Sequence, residues 1–263
     1  MFTDAELNVE RFLEEVTRSR QAALLLDYDG TLAPFQTERD RAFPYPTVSA
    51  LLQSIMNTER TRVVLVTGRS ADDVVPLLGL FPHPEIWGAH GLQRLKPDGG
   101  HEMPAVGERV VQALDDADQW LNQLQLGRRA EFKPGSLAVH WRGVQSSTAA
   151  SIRSRVMLGW LPIAHRAKMV LQEFDGGLEI RMSGPNKGDA VRTILTETDS
   201  ATPVAYLGDD QTDEDAFRAL EHRGLRVLVR PELRQTTADV WLRPPEELIE
   251  FLSGWLNACQ DKP

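Results

Sequence analysis

Two carboxylates, Asp27 and Asp29, stand two residues apart at the end of an apolar run, in Leu26-Asp27-Tyr28-Asp29-Gly30-Thr31-Leu32. In an extended chain both would point to the same side. Like charges held close either raise one pKa or require a cation between them. Gly30 permits a sharp turn there, although Asp-Gly is also a common turn dipeptide that would leave two solvated aspartates. A second apolar run ends in Val66-Thr67-Gly68-Arg69-Ser70. A helix opening on small residues offers N–H groups to an anion, while Ser70 with Asp73 also reads as a plain capping box. Lys187, in Pro185-Asn186-Lys187-Gly188, stands at a predicted helix start, where its charge opposes the helix dipole. A bound phosphate would account for it, and so would an ordinary solvated surface lysine. The segment Gly208-Asp209-Asp210-Gln211-Thr212-Asp213-Glu214-Asp215 packs five acids into seven residues. Thr212 as an N-cap accounts for the acids after it. Asp209 and Asp210 precede that cap, and a hard cation held by oxygen ligands accounts for them. Mg2+ takes one or two protein carboxylates and completes its shell with water and phosphate oxygens.

The elements that must position these groups are short apolar runs bounded by turn residues: Ala22–Leu26, Arg62–Val66, Glu85–Ala89, Val204–Leu207, Leu225–Val229 and Val240–Leu242. Runs without alternation indicate a sheet covered on both faces, typically parallel. Between them, Val9, Phe12, Leu13 and Val16 recur with helical spacing, as do Val48, Leu51, Leu52 and Ile55. Leu248, Phe251, Leu252 and Trp255 repeat the pattern after Pro244-Pro245, a helix-start signal. The expected fold is α/β and doubly wound, with its active site beyond the carboxyl ends of the strands. The middle of the chain breaks this rhythm. A helix over Gly107–Leu126 precedes a hairpin of Arg129–Lys133 and Leu137–Arg142 turning at Pro134-Gly135-Ser136. A helix over Ser147–Leu158 then precedes a second hairpin, Met169–Phe174 and Leu178–Met182, turning at Asp175-Gly176-Gly177. This block is expected to be an inserted α+β domain over residues 105–183, splitting a core of residues 1–104 and 184–263.

The order Asp-x-Asp-Gly-Thr-Leu, Thr-Gly-Arg, Asn-Lys-Gly, Gly-Asp-Asp-x-Thr-Asp-Glu-Asp resembles the haloacid dehalogenase (HAD) superfamily. The resemblance implies a Rossmann-like HAD core, with the middle block as a C2-type cap. It also implies a phosphatase, because the second Asp of Asp-x-Asp is the one that the superfamily's dehalogenases generally lack. By that resemblance Asp27 is the covalent nucleophile and Asp29 the general acid and base. Thr67 and Lys187 are expected to bind phosphoryl oxygens, with Gly68 and Arg69 as substrate-binding residues beside them. Mg2+ is expected on Asp27, Asp209 and the carbonyl of Asp29, with Asp213 as a direct or outer partner and Asp210 a weaker one.

Further residues resemble trehalose-6-phosphate phosphatases: Trp87-Gly88-Ala89-His90-Gly91, Glu131-Phe132-Lys133, His140-Trp141-Arg142, and Leu178-Glu179-Ile180-Arg181. That family often carries tyrosine where Trp141 stands. The resemblance implies sugar recognition by Glu131, Lys133 and Glu179, with His90, His140 and Arg142 as further substrate-binding residues. From pattern alone, Glu131 and Lys133 could be solvated strand residues, and His140 and Arg142 the outward half of a strand. The alternatives in sugar are sucrose 6-phosphate, glucosylglycerol phosphate and mannosyl-3-phosphoglycerate. The alternative in class is a non-catalytic module of a synthase, against which every acid and lysine required by the chemistry is present.

Composition sets the outer limits. The chain has 263 residues, 41% hydrophobic and 25% charged, enough for a core without staples. A net charge of −9 with no basic block speaks against nucleic-acid and membrane partners. The partner expected is a small sugar phosphate, and no signal of oligomeric state is present. One cysteine, Cys259, favours a reducing compartment and is expected to be inert. Met1–Glu10 lacks the pattern of a signal peptide, so a cytoplasmic protein is expected. Trp120, Trp160 and Trp255 sit in helical patterns and are expected in the core.

Overall fold

The computed structural model describes residues 3–36, 38–174 and 176–261. Asp175, expected in a hairpin turn, lies outside them, as do the first two residues of the N-terminal segment. The chain divides into two compact units, Met1–Glu102 with Pro185–Pro263, and Met103–Gly184.

The first unit opens with α1 (Thr3–Arg18), β1 (Ala22–Leu26), α2 (Val48–Asn57), β2 (Thr61–Val66), α3 (Ala71–Leu78) and β3 (Glu85–Gly88). Two short strands, β4 (Gln93–Leu95) and β5 (His101–Glu102), follow. The second unit holds α4 (Glu108–Gln123), β6 (Ala130–Lys133), β7 (Ser136–His140), α5 (Ser146–Ala167), β8 (Met169–Phe174) and β9 (Gly177–Met182). The chain then returns to the first unit through α6 (Lys187–Thr196), β10 (Val204–Gly208), α7 (Asp213–Ala219), β11 (Leu225–Val229), β12 (Val240–Leu242) and α8 (Glu246–Gln260).

Among the described residues the first unit forms one sheet in the order β12-β11-β10-β1-β2-β3-β4-β5. It is parallel from β12 to β3, and β4 and β5 extend it antiparallel. Both faces of the parallel part are covered. Leu24, Leu26, Leu65 and Val227 pack with residues of α2, α3 and α8. Ala23, Leu25, Val64, Val204 and Tyr206 pack with α6 and α7. Successive residues of a strand thus enter two different cores, which is why these strands read as continuous apolar runs. Strand order reverses between β1 and β10. The crevice beyond their carboxyl ends is therefore the topological switch point, where ligands bind in open α/β sheets.

In the second unit the sheet order is β6-β7-β9-β8, all antiparallel. Leu137, Val139, Leu178 and Ile180 pack with Ala117 and Leu121 of α4 and Val156 and Trp160 of α5. Helix α5 runs to Ala167, beyond the expected end near Leu158 and through Pro162. Ile163, Ala164 and Ala167 are buried on its far side, so packing outweighs the hydrogen bond that proline removes. The carbonyl released by Pro162 belongs to Leu158, on the exposed face. Strand β7 ends at His140, which leaves Arg142 in the following loop rather than in the strand. Trp160 and Trp255 are fully buried, and Cys259 is buried against Thr61. Among the described residues no helix is long and apolar enough to cross a membrane.

Candidate active site

Asp27 continues β1 by one residue, its N–H donating to the Leu207 carbonyl of β10 at 2.8 Å. The chain then turns tightly, with the N–H groups of Leu32 and Ala33 both on the Tyr28 carbonyl. Gly30 has φ +83°, and a Cβ there would lie 2.2 Å from Asp209 Oδ2. The position needs glycine for its conformation and also for the close approach of the Asp209 carboxylate.

Asp27 and Asp29 have different cationic partners. Lys187 Nζ lies 2.8 Å from Asp27 Oδ1. Arg69 grips Asp29 bidentately, through Nε to Oδ2 and Nη2 to Oδ1, each at 2.6 Å. The Arg69 guanidinium is buried, lies 5.3 Å from the Tyr28 ring centroid and donates from Nη1 to the Arg39 carbonyl. Lys187 is the first residue of α6. Asn186 caps that helix, accepting from the Asp189 N–H while Asp189 Oδ2 accepts from the Asn186 N–H. The cap fixes the helix start, and Lys187 turns inward to 3% exposure.

Asp213 organises the opposite wall. Its Oδ1 accepts from Lys187 Nζ at 2.8 Å and from the Tyr206 hydroxyl at 2.7 Å. Its Oδ2 accepts the N–H groups of Asp209 at 3.0 Å and Asp210 at 2.9 Å. Four donors meet the roughly four lone-pair sites of a carboxylate. Thr212, expected to cap α7 with its hydroxyl, makes no such bond; it has helical backbone angles. Ser70 likewise precedes α3 without a side-chain capping bond, and the Ala71 N–H is met by Gln93 Oε1.

Asp27, Asp209 and Asp213 are all buried, and each offers an oxygen within 4.8 Å of the others. Asp209 Oδ1 is buried with no hydrogen-bond partner. Two of the three carboxylates, Asp27 and Asp213, share the single ammonium of Lys187, and the orphaned oxygen of Asp209 has nothing to satisfy it. Such a donor set suits a hard cation, so this cluster can hold a metal ion. Asp210 stays outside the cluster, its Oδ1 accepting the Gln211 N–H. Burial pushes the Asp27 carboxyl up to about 7, with Lys187 opposing and Asp213 reinforcing the shift. Burial, then Asp27 and Asp213, drives Asp209 well above the usual carboxylate range. Burial alone would lower Lys187, but Asp213 and Asp27 outweigh it and raise the ammonium pKa.

Thr67 is buried after β2, where its Oγ1 accepts the Arg69 N–H. The His90 ring lies against Gly68, where a Cβ would fall 2.6 Å from its Cε1. The His90 N–H donates to the Thr67 carbonyl.

In the second unit, pairing sets Glu131 opposite Ala138, and Ala138 opposite Glu179; Lys133 pairs with Ser136, and Ser136 with Arg181. Paired residues share a face, so Glu131, Lys133, Glu179 and Arg181 lie together, opposite the face packed on α4 and α5. Lys133 Nζ lies 3.1 Å from Glu179 Oε1 and 3.8 Å from Glu131 Oε1. His140 Nε2 lies 2.8 Å from Glu131 Oε2, and Ser136 Oγ donates to Glu179 Oε1. The Arg142 side chain packs on Gly176, at the turn between β8 and β9.

Sequence reasoning missed Tyr206, which looks like one more apolar residue of β10. It also missed Arg234, in a loop without pattern. Arg234 donates to the carbonyls of Asp209 and Asp210 and pairs with Glu214.

The architecture is the haloacid dehalogenase fold. Over 96% of this chain and 97% of its own, a Candida albicans trehalose-6-phosphate phosphatase C-terminal domain superposes with a TM-score of 0.79 at 19% identity. Trehalose-phosphate phosphatase B of Arabidopsis thaliana is 28% identical over 94% of this chain and 69% of its own length. A trehalose-phosphate phosphatase of Mycobacterium leprae is 30% identical over 92% of this chain and 59% of its own. The chain thus spans about three-fifths to two-thirds of the length of these relatives. The trehalose-phosphatase family model matches residues 25–240. That match takes in Asp27, Lys187, Asp209, Asp213 and the whole second unit, and the chain belongs to the trehalose-phosphatase family.

Proposed function

We propose that this protein is a cytoplasmic, Mg2+-dependent phosphatase that hydrolyses trehalose 6-phosphate to trehalose and phosphate through an aspartyl-phosphate on Asp27. The observation that carries this reading is the buried group at the switch point, in which Asp27 is tied to Lys187 and faces an Asp209 with an unsatisfied oxygen. Its complete set of acids and lysine argues against a non-catalytic module.

Asp27 attacks phosphorus while the bond from phosphorus to the sugar oxygen breaks, and Asp29 gives its proton to the departing oxygen. Water then attacks the aspartyl-phosphate, Asp29 takes the proton from that water, and phosphate leaves with Asp27 regenerated. Lys187 holds Asp27 and balances the negative charge of the phosphoryl group. Thr67 and Gly68 bind phosphoryl oxygens, and His90 supports that loop. Arg69 fixes the orientation of Asp29. Asp27, Asp209 and the Asp29 carbonyl would hold Mg2+, with Asp213 fixing Lys187 and the Asp209–Asp210 peptides and Asp210 outermost. When bound, Mg2+ neutralises charge between the anionic nucleophile and the anionic substrate.

Glu131, Lys133 and Glu179, with His140 and Arg142 at the margin, bind the sugar hydroxyls. Their clustering on one polar sheet face supports this, because hydroxyl-rich ligands need convergent donors and acceptors. The test is phosphate release with Mg2+ from trehalose 6-phosphate, sucrose 6-phosphate, glucosylglycerol phosphate, mannosyl-3-phosphoglycerate and glucose 6-phosphate. A strong preference for trehalose 6-phosphate is expected. Preference for another member would discard the sugar assignment alone, and silence across the panel would discard the enzyme.

A further inference from the structure

The Asp209–Asp210 peptides are held from both sides. Their two N–H groups end on Asp213 Oδ2. Their two carbonyls end on Arg234: Nε donates to Asp209 O at 3.0 Å, and Nη2 to Asp210 O at 2.7 Å. Arg230 Nη1 adds a longer contact to Asp209 O at 3.4 Å. Arg234 comes from the β11–β12 connection and is itself fixed. Its Nη1 donates to the Gln235 carbonyl and pairs with Glu214. Glu214 in turn accepts from Thr236 Oγ1 at 2.8 Å, Thr237 N at 2.9 Å and Thr237 Oγ1 at 2.8 Å. The Arg234 side chain is 13% exposed and that of Glu214 9%. With the backbone satisfied on both sides, the buried Asp209 Oδ1 is the group left open.

We infer that Arg234 is a positioning residue for divalent-metal binding, which it serves by locking the carbonyls of the Asp209–Asp210 turn. The inference rests on the reading of Asp27 and Asp209 as metal ligands. Mg2+ demands near-ideal octahedral geometry, so a peptide free to rotate would present Asp209 less often in a usable position. Outer partners of this kind are worth roughly 10–100-fold in metal affinity. A planar fork can bridge two carbonyls and a carboxylate at once, whereas the point charge of a lysine cannot.

The experiment is Mn2+ binding by the whole chain, read as free Mn2+ in an electron paramagnetic resonance titration, beside the melting temperature of the metal-free protein. Arg234→Gln is expected to raise the Kd at least about tenfold, and Arg234→Lys, which retains the charge beside Glu214, to raise it in the same direction. Arg60→Lys is the control. Its guanidinium caps the carboxyl ends of α1 and α8, before β2 and therefore at the opposite edge of the sheet, and it should lower melting without changing the Kd. Wild-type affinity in folded Arg234→Gln and Arg234→Lys would overturn the inference. So would a loss of affinity in Arg60→Lys equal to theirs. Wild-type protein binding Mn2+ no better than Asp209→Asn would instead overturn the metal reading on which the inference stands.

Discussion

Lys187 Nζ and Asp213 Oδ1 stand 2.8 Å apart with 3% and 0% of their side chains exposed. The pair is closed to solvent, and Asp213 supplies the charge that keeps Lys187 an ammonium beside Asp27. Asp213→Asn removes that charge and turns an amide N–H toward the backbone donors of Asp209 and Asp210. Turnover is expected to fall by at least ~10²-fold through loss of electrostatic stabilisation. Steady-state kinetics on the folded variant check this, and near-normal kcat would sink the assigned role.

Asp27→Asn should lose at least ~10³-fold in turnover, as expected for removal of a unitary nucleophile. Rapid quench and intact-mass measurement should find a phosphorylated chain in the wild type and none in the variant.

Asp27 has a native pKa of about 7 against an ordinary 3.8, so the metal-free native state holds a proton that the unfolded state has lost between those values. Stability therefore falls as pH rises through that window, because the native state binds more protons there. The stabilisation is complete below about pH 4 and gone above about pH 7. Denaturant melts in chelator between pH 4.5 and 8 should show the decline. Saturating Mg2+ should flatten it, since ligation needs the deprotonated carboxylates.

Glu179, 2% exposed, accepts from both Lys133 and Ser136 on Oε1. Glu179→Gln is expected to lower kcat/KM for trehalose 6-phosphate by ~10²-fold, the scale of an unpaired buried hydrogen-bonding group. Hydrolysis of p-nitrophenyl phosphate, which has no sugar hydroxyls, should change less than threefold. Equal losses on both substrates would assign Glu179 to folding of its sheet instead.

Arg60 donates to the carbonyls of Thr17 and Ser19 at the end of α1, and of Cys259 and Asp261 at the end of α8. Arg60→Ala leaves the ends of two helices unsatisfied and should cost about 2 kcal/mol or more. Chemical denaturation measures the loss, and kcat at low temperature should stay at the wild-type value.

Much of the first unit is written locally. Leu225–Val229 and Val240–Leu242 are strands over the very residues that form apolar runs. Asp27, Lys187 and Asp209 also announce themselves locally, as polar groups set at the ends of such strands or at a helix start. β4 and β5 are illegible by the same reasoning: three and two residues carry no period, and only pairing, of β4 with β3 and of β5 with β4, makes them strands. The run of α5 through Pro162 depends on what its last turn packs against.

The amino-acid sequence by itself determined the α/β alternation, the middle block with its two hairpins, and the candidate groups at the strand ends. Tertiary structure alone decided the partnerships among them: Lys187 between Asp27 and Asp213, Arg69 on Asp29 rather than on Asp27, and Arg234 behind the carbonyls of Asp209 and Asp210. The physical reason is range. Strand and helix patterns arise from neighbours a few residues apart, whereas a buried charge is defined by whichever opposite charge the fold brings beside it, as Lys187 is brought to 2.8 Å from Asp27 across 160 residues of chain.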